Sequence, residues 1–145
     1  MSDLAIAPIT DADVAPVIAL WQRCGLTRPW NDPASDIAFV RKGANATVLI
    51  GRADGAIAAT AMVGHDGHRG WVYYVAVDPD HQGKDFGRAI MAAAEDWLRQ
   101  TGIEKVMLMV RPDNAQVRAF YDKLGYDVQE RVIYAKWLDG REMTP

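Results

Sequence analysis

The sequence has 145 residues, of which half are apolar and 24% are charged, with a formal net charge of −3, and this predicts a single domain spanning residues 1–145. No apolar run is long enough to span a bilayer, "MSDLAIAP" lacks the features of a signal peptide, and Lys and Arg are scattered. We therefore expect a cytoplasmic protein that binds neither membranes nor nucleic acids. Cys24 is the only cysteine, which excludes an internal disulfide and a cysteine-built metal site.

The first third of the chain predicts one strand and two helices. Leu4–Ile9 can form a strand, and "TDADV" then offers capping side chains to a helix with apolar residues at helical spacing, which Gly25 ends. Asp32 and Pro33 stand as the N-cap and first residue of a short second helix that ends near Gly43.

From Ala46 onwards the pattern becomes that of β-strands. Two apolar runs flank Asp54 and Gly55, which suit a two-residue hairpin turn, and a third run covers residues 71–77. These three runs predict an antiparallel meander.

The remaining chain alternates between helix and strand. A helix with Ile90 on its apolar face ends at Gly102, residues 105–110 form a strand, Asn114 caps another helix, and residues 126–138 form a long last strand. The order β-α-α-β-β-β-α-β-α-β predicts an α+β domain, in which helices cover both faces of a mixed, mostly antiparallel twisted sheet.

The segment "DPDHQGKDFGRAIM", residues 78–91, places a glycine-bearing turn between a strand and a helix N-terminus. Unpaired N–H groups and the helix dipole make such a junction attractive to anions. Asp85 introduces a negative charge into it. The segment is therefore either a phosphate site with an unfavourable carboxylate or a tight turn in which Asp85 caps the helix.

Two motifs carry a resemblance to a known family. "VAVDPDHQGKDFG" and "NAQVRAFYDKLGY" resemble the GCN5-related N-acetyltransferase (GNAT) family, whose loop pattern Q/R-x-x-G-x-G/A falls on residues 82–87. The resemblance covers nearly the whole chain, and "RPWNDP" resembles a little-characterised bacterial branch of the family. It implies a GNAT-type fold and transfer of an acetyl group from acetyl-CoA.

The resemblance also implies roles for individual residues. Tyr121 would be the general acid that protonates the departing thiolate, although it also fits a core tyrosine on the apolar face of its helix. Main-chain groups of the strand before the loop would pair with the pantetheine arm and polarise the thioester. The implied cofactor-binding residues are Val75, Val77, Gln82, Gly83, Lys84, Asp85, Gly87, Arg88, Asn114 and Tyr121.

The sequence departs from the family pattern at two positions. Asp85 replaces a glycine, and a carboxylate ~5 Å from a phosphate charge costs about 0.8 kcal/mol in water and about 3 kcal/mol at an effective dielectric constant near 20. Met109 stands where some relatives carry a glutamate base. The proton of the incoming amine must then go to another group or, through a chain of waters, to bulk solvent, and the candidate groups are Tyr73, Tyr74, Asp66, His68 and Asp32. No metal is expected, because the spacing of His65, Asp66 and His68 is poor for a closed site.

Acceptor binding is predicted for Arg28, Trp30, Asn31, Asp32 and Tyr73, because an aromatic ring with an acid can hold an ammonium group and an arginine can hold a carboxylate. The main hypothesis is direct acetyl transfer, in a ternary complex, to an amine of a small molecule or peptide. An alternative is a catalytically weak or inactive acyl-CoA-binding module. A toxin-like enzyme acting on aminoacyl-tRNA is disfavoured by the acidic balance. A free edge on the last strand would permit a homodimer.

Overall fold

A computed structural model describes residues 3–143. The chain divides into two compact units, Met1–Met109 and Val110–Pro145. In its described residues the first unit contains five strands and three α-helices, and the second contains the helix α4, Ala115–Lys123. In chain order the elements of the first unit are β1 Ala5–Pro8, α1 Val14–Arg23, α2 Pro33–Arg41, β2 Ala46–Ala53, β3 Ala56–His65, β4 Gly70–Val77, α3 Phe86–Gln100 and β5 Val106–Met107.

The strands form one sheet in the order β1-β2-β3-β4-β5. The pairs from β1 to β4 are antiparallel, whereas β5 runs parallel to β4. Between β2 and β3, Asp54 and Gly55 have φ angles of 53° and 81°. A type I′ hairpin turn requires positive φ at both central residues, so the predicted hairpin and meander are confirmed.

Alternation along the strands gives the sheet two apolar faces. Val48 and Ile50 of β2 belong to a buried cluster with Trp21 of α1 and Ile37 of α2. Leu49 lies between them and therefore points to the opposite face, which α3 covers through its contacts with β2, β3 and β4. Helices thus pack on both sides of a mixed, mostly antiparallel sheet, and the predicted α+β fold is confirmed.

Two helix starts follow the predicted capping. The Asp32 side chain accepts hydrogen bonds from the N–H groups of Ala34 (3.1 Å) and Ser35 (3.4 Å), with Pro33 as the first residue of α2. Asn114 accepts from the Val117 N–H at the start of α4 (3.2 Å). Both side chains satisfy N–H groups that the helix itself leaves unpaired.

The prediction of a last strand at residues 126–138 is wrong. Residues 126–138 contain no strand, although the segment has the composition of one. Its large apolar side chains Val128, Val132, Ile133 and Tyr134 are exposed. A β pattern describes side chains that fit a pleated surface, but a strand also needs a main-chain partner. For the same reason β5 is limited to two paired residues, fewer than the predicted 105–110.

Among the helices of the described region, none is both long and apolar enough to cross a membrane.

Candidate active site at the bulge of β4 and the start of α3

The middle of β4 contains a β-bulge. In its ladder with β3, Met62 faces Tyr73 and Thr60 faces Ala76, so Tyr74 and Val75 together oppose one residue. Tyr74 has φ 52°, a left-handed conformation that is rare for a bulky residue. A bulge bends its strand and increases the local twist, and it therefore redirects the second half of β4.

Buried contacts hold this strained residue in place. The Trp21 indole N–H donates to Thr60 Oγ1 (2.8 Å), and the Thr60 hydroxyl donates to the Tyr74 carbonyl (3.0 Å). The Tyr74 ring stacks on Trp21 with 3.9 Å between centroids, and its hydroxyl donates to Asp36 Oδ2 (2.8 Å). Main chain, ring and hydroxyl of Tyr74 are therefore each fixed by a different partner.

Beyond the first two residues of β4, its outer edge is open in the described part of the first unit. β4 pairs with β5 only at Gly70 and Trp71. The Asp78 N–H donates to Ala58 on the β3 side, which places Val77 at a position whose N–H and carbonyl face outward. An extended ligand can pair with such an edge as an added strand.

The outward carbonyl of Val77 already has two partners. It accepts from the Gln82 side-chain amide (3.1 Å) and from the Cys24 thiol (3.4 Å). Gln82, predicted to bind the cofactor, therefore acts on the end of β4 and fixes the start of the loop that follows.

The loop between β4 and α3 is anchored by Asp78. This buried carboxylate accepts from the Asp80 N–H (2.9 Å) and from Arg23 at the end of α1 (2.8 Å). The Asp80 hydrogen bond, followed by Arg23, holds the pKa of Asp78 below its usual value. Further along, Gly83 and Asp85 both adopt positive φ, 80° and 61°. Left-handed residues in a turn can direct main-chain N–H groups to one side and create a concave anion site.

The N-terminus of α3 is suited to an anion. Its first internal bond joins the Ala89 N–H to the Asp85 carbonyl (3.1 Å), and no side chain of the described chain caps the helix. The N–H groups of Phe86, Gly87 and Arg88 thus keep the orientation that attracts negative charge. The exposed Lys84 and Arg88 flank this helix start.

Asp85 occupies the N-cap position without using its side chain as a cap. The interpretation of Asp85 as a side-chain cap is therefore wrong. Its left-handed φ explains why the family pattern has glycine there. A cavity of about 310 Å³ beside the loop is lined by Asp3, Ala53, Asp54, Gly83, Lys84, Asp85 and Phe86, and its three carboxylates make it unsuitable for a phosphate.

In the second unit, Tyr121 is a buried side chain of α4. Its ring makes edge contacts with Phe120 and Tyr126, with centroids 4.9 and 5.6 Å apart. Burial raises the pKa of Tyr121 to about 12. The phenol is therefore protonated at neutral pH, as a proton donor must be.

The predicted acceptor residues have different environments. Asn31 and Tyr73 line a cavity of about 420 Å³, whose full lining is Leu26, Asn31, Asp36, Phe39, Val40, Met62, Tyr73 and Tyr74. Trp30 is half-buried outside that lining. Arg28 donates to the carbonyls of Gly25 (2.8 Å) and Thr27 (2.9 Å), and Asp32 caps α2, so both side chains have local partners.

Asp36 is a residue of this cavity that the sequence does not predict. At the start of α2 this residue reads as an acidic side chain that favours the helix dipole. The only sequence signal for another role is its position one turn after Asp32.

Three of the candidate bases, Tyr73, Tyr74 and Asp66, are poorly suited to removing a proton. Burial raises the pKa of Tyr73 and of Tyr74, and the hydrogen bond to Asp36 raises that of Tyr74 further. The carboxylate of Asp66 accepts from the N–H groups of His68 and Arg69 within the turn before β4. No group of three metal-ligating side chains occurs among the described residues.

Known proteins match this chain in sequence and in fold. Residues 15–126 match the sequence model of the Acetyltransferase (GNAT) family. An acetyltransferase of Yersinia enterocolitica is 38% identical over 135 residues, which cover 93% of this chain and 96% of the relative. An acetyltransferase of Sodalis glossinidius is 40% identical over 121 residues, covering 83% and 85%. The chain therefore belongs to the GNAT family of acetyltransferases.

Solved structures agree with the fold. The structure of AAC(6′)-Iy in complex with the bisubstrate analogue CoA-S-monomethyl-acetylneamine superposes with a TM-score of 0.81 at 17% identity, covering 94% of this chain and 99% of that one. The glucosamine-6-phosphate N-acetyltransferase of Arabidopsis thaliana gives a TM-score of 0.72 at 22% identity, covering 95% and 100%.

Proposed function

We propose that this protein transfers the acetyl group of acetyl-CoA to an amine of a small molecule or peptide by direct attack in a ternary complex. One observation carries the proposal: the open outer edge of β4 is followed, after the loop of residues 78–85, by the uncapped start of α3. Acetyl-CoA joins an amide-bearing arm to a pyrophosphate. A strand edge can pair with the amide-bearing arm, and a helix N-terminus can bind the pyrophosphate. The order of strand edge and helix N-terminus along the chain therefore supports acetyl-CoA as co-substrate.

Main-chain groups make most of the proposed cofactor contacts. Val75 and the Val77 N–H pair with the arm, and the N–H groups of the loop and the first turn of α3 bind the pyrophosphate. Lys84 and Arg88 offset part of the negative charge of Asp85. Asn114 steadies the arm, and Gln82 positions the end of β4. The N–H groups assigned to the pyrophosphate are those of Gly83, Asp85, Gly87 and Arg88.

The proposed reaction forms a nitrogen–carbon bond and breaks the carbon–sulfur bond of the thioester. A main-chain N–H group of Val75, at the bulge, or of Val77, at the end of β4, stabilises the negative charge that develops on the carbonyl oxygen. Tyr121 gives its proton to the departing thiolate. The attacking amine loses one proton to solvent, which balances the proton that the thiolate gains, and Tyr121 is reprotonated from water.

A second candidate function is a weak or inactive acyl-CoA-binding module. Asp85 in the loop favours it, as does Met109, which is 52% exposed and has no basic side chain. Such a module binds acetyl-CoA and turns over amines slowly or not at all.

Two measurements test the proposal. Calorimetry should show binding of acetyl-CoA at a single site. The loss of thioester absorbance should accelerate with a panel of primary amines and remain at background with the matched alcohols. Binding without turnover would support the module, and the absence of binding would contradict both functions.

A further inference from the structure

The cavity of about 420 Å³ lies beside the bulge of β4 and has a volume typical of small-molecule sites. Its walls come from α2, from the segment before α2, and from the bulged part of the sheet. A role for this cavity in binding the acceptor rests on the proposed acetyl transfer.

Asp36 supplies the only charge among the described residues that line the cavity. One of its oxygens, Oδ2, accepts the Tyr74 hydroxyl at 2.8 Å. The other oxygen, Oδ1, makes no hydrogen bond or ion pair within residues 3–143. The carboxylate is therefore oriented by one hydrogen bond and keeps one oxygen for a ligand.

The orientation of Asp36 is built into the core. Tyr74 stacks on Trp21, which is fully buried, with an angle of 9° between the two ring planes. Thr60 links the Trp21 indole to the main chain of Tyr74. A ligand-binding group held by packed neighbours loses little freedom when it binds.

The rest of the cavity wall is aromatic and aliphatic. Phe39 is 76% exposed and Tyr73 is 45% exposed, so both rings are accessible to a ligand. The Lys42 ammonium already lies 5.9 Å from the centroid of Phe39. Aromatic faces attract cations, and no side chain with a positive charge lines the cavity in the described structure.

A carboxylate is a poor partner for the amine that reacts. A nearby negative charge stabilises the protonated form of an amine, whereas attack on a thioester requires the neutral form. Asp36 therefore suits a cationic group of the acceptor that does not react.

We infer that Asp36, positioned by Tyr74, binds a non-reacting ammonium group, and that the acceptors are small diamines with the second amine free to attack. Asp36 is the specificity-determining residue, and Tyr74 is a positioning residue that acts through it. The aromatic walls contact the carbon chain between the two nitrogens.

The test compares α,ω-diaminoalkanes with alkylamines of the same chain length as acceptors. The wild type should show a kcat/KM at least about tenfold higher for the diamine. D36N should raise the KM for diamines about 10- to 100-fold, the range expected for loss of a hydrogen bond to a charged group. The KM values for acetyl-CoA and for monoamines should stay within about twofold.

Two further variants separate position from charge. Y74F keeps the ring stack and removes the hydroxyl, so it should raise the KM for diamines by a smaller factor and leave the KM for acetyl-CoA unchanged. E104Q removes a carboxylate from an exposed position outside the cavity and should behave as wild type.

Thermal shift without acetyl-CoA separates this inference from the proposed function. Diaminoalkanes should raise the Tm of the wild type and leave that of D36N unchanged. Equal turnover of monoamines and diamines, with no effect of D36N, would overturn the inference and leave acetyl transfer intact. A diamine shift that depends on Asp36, without turnover of any amine, would support the binding site and contradict the proposed function.

Discussion

Asp85 combines an unusual conformation with an unfavourable charge. Its φ of 61° is one that glycine adopts freely and aspartate tolerates, and its carboxylate does not cap α3. The sequence indicates both the positive φ and the unfavourable charge, because aspartate replaces the glycine of the loop pattern. It could not exclude the capping role, which depends on the direction of a side chain.

Removing the charge of Asp85 should strengthen acetyl-CoA binding. We expect D85G and D85N to lower the Kd by between about fourfold and a few hundredfold, measured by calorimetry, with a smaller gain at high salt. D85N removes the charge but keeps a residue that tolerates positive φ. Tighter acetyl-CoA binding by D85G alone would therefore show that the backbone conformation, rather than the charge, weakens binding in the wild type. Unchanged or weaker binding by both variants would contradict the charge argument.

Tyr121 should affect chemistry more than binding. Y121F keeps the ring contacts with Phe120 and Tyr126, so we expect kcat to fall about 10²- to 10⁴-fold with little change in acetyl-CoA affinity or Tm. Because the pKa is about 12, the acid form is lost only as the pH rises towards that value. The wild-type kcat should therefore show no decline from Tyr121 between about pH 7 and 10. A Y121F variant with normal kcat would leave only the structural role.

At the scale of elements, the bulge of β4 is the feature that sequence patterns do not contain. "GWVYYVAV" reads as an uninterrupted strand, and its predicted limits are nearly those observed. The extra residue depends on Trp21 and Thr60, which lie far away in the sequence. Local alternation carries no information about such partners.

Thr60 should be essential to the bulge. T60V keeps the shape of the side chain but leaves the Trp21 N–H and the Tyr74 carbonyl without a buried partner. Each loss costs about 1 to 3 kcal/mol, so we expect the free energy of unfolding to fall by about 2 to 6 kcal/mol in urea denaturation. T60S retains the hydroxyl and should lose less than about 1.5 kcal/mol. Equal losses for the two variants would show that the methyl group, rather than the hydroxyl, stabilises the site.

The helix caps and the last strand show where element prediction succeeds and fails. Asp32 and Asn114 were predicted as caps because a cap involves only neighbours in sequence. The strand at residues 126–138 was wrong because pairing needs a distant partner. The free edge of that strand was the only feature that favoured a homodimer, so the homodimer stays a prediction without this support.

At the scale of the molecule, the order of elements in the first unit is predictable from the sequence. The spacing of apolar residues and the positions of turn residues both indicate the same order of strands and helices. The assignment of residues 1–145 to a single domain stays a prediction. The acceptor cavity was only partly predictable, because Asn31, Asp36 and Tyr73 come from separate segments that the fold brings together.

Stability should depend on two buried carboxylates at acidic pH. Burial alone would raise the pKa of Asp13, but hydrogen bonds from the Thr10 N–H and hydroxyl, together with Arg52, lower it overall. The pKa of Asp78 is also lowered. Each charge therefore contributes to the free energy of unfolding. This contribution is complete above the pKa of the unfolded state, 3.8, and it is lost as the pH falls through the lower pKa of the folded state.

The free energy of unfolding should be nearly level above about pH 5 and fall below about pH 4. D13N should be about 1 to 3 kcal/mol less stable than wild type at neutral pH, and the difference should shrink below about pH 3. Denaturant titrations across this range provide the measurement. A difference that stays constant with pH would contradict the role of the Asp13 charge.

The thiol of Cys24 lies against the Val77 carbonyl, at the end of the strand edge proposed to bind acetyl-CoA. Burial raises the pKa of this thiol, which makes it a slow nucleophile in the folded state. Since the chain has one cysteine, a thiol-specific reagent modifies a single position. The rate at which the reagent modifies Cys24 therefore reports local opening near the end of β4. Ligands that rigidify the strand should lower this rate, and no engineered label is needed to measure it.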